Sequence, residues 1–246
     1  MKNVLTTILL LAGLVAGLPA QDAEATLKPL FFEAYVTSDL AKWQSGITQL
    51  EAAVNLHPDD DRRRDARALA QYGAVSACFA TGEERTARRL LGQAEQHVKK
   101  LLRRDDEVAA YHALIAGIYG MQIALSPMKG MFLGPKNNRH VDRALALDPQ
   151  CSDGHYQRGA SLLNTPAMWG GDVGEAAVAL EKACRLYEGE GVVRDWRYLN
   201  ALAMLGQAYQ ESGRPEAARD TYHKALAIAP EFGWVKEVLL PEIADR

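Results

Sequence analysis

The histidines and cysteines are the side chains that could support metal or nucleophilic chemistry, and their spacing indicates neither. No histidine pair has the H-E-x-x-H spacing of a zinc site, and no C-x-x-C pair is present. Gly170-Gly171 lacks the lysine and the preceding strand of a phosphate loop. His140 and His155 flank a predicted turn and could approach each other, as a surface pair rather than a ligand pair. We therefore expect a non-enzymatic protein without catalytic residues, metal or cofactor. The six histidines are His57, His97, His112, His140, His155 and His223.

The three cysteines leave at least one thiol unpaired. Cys78 lies in the apolar stretch "AVSACFA" and resembles a small buried residue. Cys151 precedes one predicted helix, and Cys184 lies near the end of the next. Because those places meet in an antiparallel helix pair, we expect a disulfide between Cys151 and Cys184 if the compartment is oxidising.

Large apolar side chains stand where loops are expected, in two stretches at 126–138 and 164–172. Fully exposed, the rings of Phe132 and Trp169 alone would approach the ~300–600 Å² of the largest apolar patch on a typical monomer. Either the two loops pack on each other as a lid, or they form a contact surface for a partner or ligand. Disorder is the third explanation. The residues concerned are Met128, Met131 and Phe132 in the first loop, and Met168 and Trp169 in the second.

The elements that position these loops are clearest near the end of the chain. Leu202-x2-Leu205-Gly206-x2-Tyr209 is followed by Gly213, then by Ala218-x3-Tyr222-x2-Ala225 and Pro230. These are two apolar stripes at helical spacing, separated by a turn. The pattern resembles the tetratricopeptide repeat (TPR), a helix–turn–helix unit of about 34 residues.

Weaker copies of the same pattern precede this repeat. Gly73, Gly117, Gly159 and Gly206 stand at corresponding places, and residues 232–243 predict a capping helix. The resemblance therefore implies an all-α, right-handed α-α superhelix of about five helix hairpins plus a C-terminal cap. The repeats span about 27–60, 66–101, 110–149, 152–188 and 199–232.

The repeat pattern also places the candidate binding residues. The two apolar loops occupy the turns of consecutive repeats, so we expect them side by side on one edge. The first helix of each repeat should line a concave face that includes Tyr111, Tyr156 and Asn164. The resemblance implies a protein or peptide partner. The basic Lys/Asn/Arg clamp with which some TPR domains hold a terminal carboxylate is missing from these helices.

The first residues predict export. A short basic start and the apolar run from Val4 to Leu18 are typical of a signal peptide, 1–20, with cleavage after Ala20 or, as a second choice, after Ala25. An uncleaved anchor is the alternative. The Pro-Ala-Met-Trp-Gly-Gly-Asp turn, residues 166–172, is similar to turns of exported bacterial repeat proteins. We therefore expect a soluble, periplasmic domain over 21–246, with no membrane span after cleavage.

The charge balance of the chain argues against one class of partner, nucleic acid. The chain carries 28 basic and 31 acidic residues, a net charge of −3, which is unsuited to nucleic acid. The sequence thus predicts an exported protein-interaction scaffold. The alternative is a periplasmic small-ligand-binding protein that accompanies an envelope transporter, with the apolar loops lining its pocket.

Overall fold

The computed structural model describes residues 20–244, with side chains described from 25 to 243. The predicted signal peptide therefore lies almost wholly outside the described residues. Within them the chain forms eleven α-helices and no strand. The helices are α1 (Ala20–Val36), α2 (Leu40–Leu56), α3 (Asp61–Thr81), α4 (Glu84–Arg104), α5 (Ala109–Ala124), α6 (Gly130–Leu147), α7 (Ser152–Asn164), α8 (Val173–Gly189), α9 (Trp196–Glu211), α10 (Pro215–Ile228) and α11 (Leu240–Ala244).

The helices pair in chain order within two compact units. The N-terminal unit ends at Asp106 and contains the pairs α1/α2 and α3/α4. The C-terminal unit begins at Glu107 and contains the pairs α5/α6, α7/α8 and α9/α10, followed by α11. In this unit α5 packs on α7, and α9 packs on α8. The prediction of an all-α fold built from paired helices is confirmed.

Aspartates at the helix starts explain several boundaries. The side chains of Asp39, Asp60, Asp172 and Asp195 each accept a hydrogen bond from a backbone N–H in the first turn of the helix that follows. Such caps satisfy donors that have no partner inside the helix, so they stop the helix from extending backward. The sequence therefore encodes these helix starts locally.

Glycines set how closely the paired helices approach. A Cβ added at Gly206 would lie 2.0 Å from a ring carbon of Tyr222 in α10. The equivalent contact joins Gly159 to Leu180 in α8 at 2.5 Å, and a similarly close contact joins Gly46, on the second helix of its pair, to Phe31 in α1 at 2.3 Å. Because no side chain fits at these distances, the recurring small residue of the repeat is a packing requirement at Gly159 and Gly206.

The C-terminal end closes with a turn of π-helix, Trp234–Leu239, that continues into α11. Val235 and Leu239 are buried there together with Phe232, while Val238 is exposed. Among residues 20–244, none of the helices combines the length and apolar character that crossing a bilayer requires.

Candidate functional site

The α5/α6 turn and the α7/α8 turn, which carry the apolar residues, lie at the same edge of the C-terminal unit. Ser161, in the last turns of α7, hydrogen-bonds to Asn138 of α6 across 3.3 Å. Further from that edge, Arg158 of α7 pairs with Asp142 of α6. These contacts align α6 and α7 antiparallel. Phe132, six residues before Asn138, therefore lies about 9 Å beyond this level, on the side toward which α7 ends.

The turn between α7 and α8 is held by its own backbone. The N–H of Trp169 donates to the carbonyl of Pro166 at 2.8 Å, and the N–H of Gly170 donates to that of Ala167 at 3.0 Å. The N–H groups of Gly171 and Asp172 also find carbonyl acceptors, in Pro166 and Leu162. This hydrogen bonding contradicts the disorder explanation for this turn.

Each residue of the Gly-Gly-Asp sequence has a distinct role in this turn. Gly170 adopts a left-handed backbone with φ of 94°, which favours glycine. A Cβ at Gly171 would lie 1.6 Å from the carbonyl oxygen of Thr165, so only glycine fits. Asp172 then caps α8 by accepting from the N–H of Glu175 at 2.9 Å. Together these three residues constrain the backbone that follows the short 3₁₀ turn Ala167–Trp169.

The first loop is much shorter than the predicted 126–138. Only Leu125, Ser126 and a 3₁₀ turn, Pro127–Lys129, separate α5 from α6, which already begins at Gly130. The pattern of Gly130, Gly134 and Pro135 misled the sequence interpretation. Pro135 lies in the second turn of α6, where its missing N–H removes one helix hydrogen bond. The buried Asn137 donates to the carbonyl of Ala116 at 2.7 Å. This tertiary contact helps hold the start of α6 as a helix.

The five apolar side chains of these turns face solvent. Their exposed fractions range from 71% for Phe132 to 88% for Met128. The lid hypothesis is therefore wrong, because side chains that covered each other would lose most of this exposure. We call the set the apolar edge: Met128, Met131, Phe132, Met168 and Trp169.

The predicted face of first helices is partly buried. Tyr156 is in the core, and its hydroxyl accepts a hydrogen bond from Asn200 Nδ2 at 2.7 Å. Tyr111 is half-buried, and Asn164 is exposed at the end of α7, where its amide donates to the carbonyl of Ala160. Tyr111 and Asn200 each lie six residues before the small residue of their repeat, at equivalent places.

Helix α9 is buried on all sides but one. Its half-exposed residues recur every three or four positions, which places them on one stripe, while the intervening residues are buried. The sequence interpretation of the concave face missed Met204. We call Asn200, Met204 and Gln207 the α9 stripe.

Arg197, which precedes the α9 stripe on the same side of the helix, is neutralised. Its guanidinium donates to Asp195 at 2.9 Å and to Asp153 of α7 at 3.2 Å. Tyr187 donates its hydroxyl hydrogen to the same Asp153. These carboxylates keep the pKa of Arg197 well above its usual value although burial acts to lower it. Because both carboxylates are near it, Arg197 adds no free cation to the α9 stripe.

The histidine pair differs from the prediction. His140 does not pair with His155: its Nδ1 lies 2.8 Å from the Nδ1 of His112, across the α5/α6 hairpin. His155 instead contacts the carbonyl of Pro149 through Nε2. The antiparallel pairing of α5 and α6 decides this, because it places the middle of α6 against the first turn of α5. No cluster of three or more metal-ligating residues occurs in the described part of the chain.

The predicted disulfide is absent. Cys151, Cys184 and Cys78 are all free thiols. Cys151 Sγ instead caps α7, accepting from the N–H of Gly154 at 3.3 Å, while Cys184 is buried in α8. Burial raises the pKa of Cys151 to about 11 and that of Cys184 to about 12, so both remain protonated at neutral pH.

Comparison with known proteins identifies the repeat. Residues 199–232 match the tetratricopeptide repeat family. A thermophilic TPR protein from Thermus thermophilus superposes with a TM-score of 0.58 at 20% identity, over 90% of this chain and 97% of that one. The HusA haemophore from Porphyromonas gingivalis superposes with a TM-score of 0.61 at 18% identity, over 76% and 94%. No match is found among curated proteins. The TPR resemblance is thereby confirmed: the chain carries a tetratricopeptide repeat at residues 199–232 and has the fold of TPR proteins.

Proposed function

We propose that the protein is an exported, non-enzymatic scaffold that binds an extended or helical segment of a protein partner along the first helices of its C-terminal unit. The observation that carries the proposal is the α9 stripe, the one accessible side of an otherwise buried helix. Side-chain amides at Asn200 and Gln207 offer both donors and acceptors, which suits a peptide backbone, and Met204 between them offers an adaptable apolar contact.

The stripe is continuous with its neighbour. Asn200 bridges to Tyr156 of α7, and α7 packs on α5, where Tyr111 is half-exposed at the position equivalent to Asn200. A segment that follows these helices would thus meet tyrosine and amide groups in turn. Since Arg197 is already paired with two carboxylates, we expect recognition of an internal segment rather than a terminal carboxylate.

Export is supported by the predicted signal peptide, and the scaffold role by the tetratricopeptide repeat. The apolar edge is a second surface for which the scaffold role alone assigns no occupant. The likeness to the haemophore concerns the fold alone at 18% identity, so it lends no support to the small-ligand alternative.

Site-specific photo-crosslinking tests the proposal. A photoreactive residue is placed at Met204 or Gln207 in the exported chain, and at the exposed His223 of α10 as the control. We expect a discrete adduct of one partner at the two stripe positions and none at His223. Loss of the adduct in an Asn200→Leu background would assign it to the stripe. Equal labelling at all three positions, or none at the stripe, would contradict the proposal.

A further inference from the structure

We propose that the apolar edge docks the protein on the surface of an anionic lipid bilayer. This inference goes beyond the scaffold role and does not rest on it, because the α9 stripe and the apolar edge share no residue. Three observations carry it: the shape of the edge, the satisfaction of its backbone, and the charge around it.

The shape of the edge suits a fluid surface. Met128, Met168 and Trp169 lie in 3₁₀ turns, and Met131 and Phe132 lie in the first turn of α6. All five side chains are 71–88% exposed, so they protrude rather than line a groove. Anchors of protein interfaces act by filling pockets of a complementary partner. Lipid headgroups and acyl chains rearrange around a protruding side chain, and tryptophan prefers the level of the headgroups.

The backbone of the edge can leave water at little cost. Four consecutive N–H groups at the tip, from Trp169 to Asp172, donate to carbonyls within 3.2 Å. Unsatisfied backbone donors are expensive in an apolar environment, so an unpaired turn would resist insertion. Because the turn is already hydrogen-bonded, Met168 and Trp169 can enter the interfacial region without leaving these donors unpaired.

The charge around the edge selects anionic lipid. No acidic residue occurs between Glu107 and Asp142, or between Asp153 and Asp172, although the whole chain has a net charge of −3. Asp172 and the exposed Glu175 follow the second turn, and the Asp172 carboxylate is engaged as the cap of α8. Lys129, Lys136 and Arg139 are exposed beside the apolar edge, and none of them has an ion-pair partner among the described residues. Cations interleaved with apolar side chains are the pattern of interfacial membrane attachment.

Vesicle flotation tests this assignment. Wild-type chain is mixed with vesicles of phosphatidylcholine alone or with roughly 30% phosphatidylglycerol, an anionic content chosen to give a clear surface potential. The apolar variant is Phe132→Ser/Trp169→Ser, and the charge variant is Lys129→Gln/Lys136→Gln/Arg139→Gln. The matched control is Leu56→Ser/Phe79→Ser, which removes two exposed apolar side chains of the N-terminal unit. All four chains carry the same N-terminus, so any leader contributes equally.

We expect wild type and control to float with the anionic vesicles. The apolar variant should lose about tenfold or more in partitioning. The charge variant should lose the preference for anionic lipid. Helical circular dichroism of all four chains should be unchanged, because every substituted side chain is exposed.

Wild type that does not float, or an apolar variant that floats as well as wild type, would overturn the assignment. Edge-dependent capture of a protein by a chain that does not bind vesicles would also overturn it and make the edge a protein surface. Crosslinking at the α9 stripe is read separately, so failure here leaves the scaffold test intact.

Discussion

Two turns of the C-terminal unit each connect the two helices of a hairpin, but they expose different side chains to solvent. The turn between α9 and α10 is short and polar, with Gly213 at φ of 74° and Arg214 donating its N–H to the carbonyl of Tyr209 at 2.8 Å. The turn between α7 and α8 is longer and exposes Met168 and Trp169, yet its N–H groups are equally well paired. The additional residues of the α7/α8 turn are therefore held by hydrogen bonds, and they expose apolar side chains to solvent.

The largest expected effect concerns the helix contact that both hairpins share. Gly206→Leu should lower the free energy of unfolding by about 3 kcal/mol or more, because its Cβ alone would overlap the ring of Tyr222. Urea denaturation measures the change. The control is Gly92→Ala in α4, where a Cβ meets nothing within 4 Å, and it should stabilise by about 0.5–1 kcal/mol. Equal stability of the two variants would contradict the close-approach explanation.

The next prediction separates the two turns. Gly171→Ala should destabilise by about 2–3 kcal/mol, because its Cβ would collide with the carbonyl of Thr165. Gly213→Ala meets no atom within 4 Å and should cost only about 1–2 kcal/mol, the penalty of a left-handed alanine. Thermal unfolding compares them. A smaller loss of stability for Gly171→Ala than for Gly213→Ala would contradict the predicted collision and show that the α7/α8 turn can rearrange to accept a Cβ.

A half-buried histidine of α4, His97, makes the stability of the protein depend on pH. Burial, followed by the charges of Arg67, Lys100 and Arg64, lowers the pKa of His97 to about 4 from an ordinary 6.5. Between these values the unfolded chain binds a proton that the native chain does not, so acidification from pH 7 to pH 5 favours unfolding. The loss should be about 1–2 kcal/mol.

His97→Gln is the test of that pH dependence, since it removes the titrating group. Urea denaturation of this variant at pH 7 and pH 5 should show a smaller loss than wild type. An identical loss in the two chains would assign the acid sensitivity to other groups.

The smallest expected effect lies at the apolar edge itself. Phe132→Ala and Trp169→Ala should each change the free energy of unfolding by less than about 0.5 kcal/mol, because both side chains are exposed. The double variant should be additive within about 0.5 kcal/mol. A coupling above about 1 kcal/mol would restore mutual packing of the two turns and contradict the exposed arrangement.

Sequence reasoning succeeded where the determinants are local. Leu202, Gly206 and Tyr222 lie on helices only one short turn apart, so their spacing already specifies a hairpin. Sequence reasoning failed where contacts between residues distant in the chain decide the local structure. Gly130 and Pro135 are typical of a loop, but the contact of Asn137 with Ala116 favours helix there. Cys151 was expected to reach Cys184, but its sulfur is used at the start of α7.

The sequence by itself determined the helical repeat, the close-packed glycines and the presence of apolar residues at two hairpin turns, because each depends on periodicity within one hairpin. Only the tertiary structure decided that these apolar residues remain in solvent, that Tyr156 is buried against Asn200, and that His140 faces His112. Exposure and pairing depend on which helices become neighbours and in what register. The pattern of apolar residues along one helix does not determine its neighbours, since the same stripe can face solvent or pack on another helix.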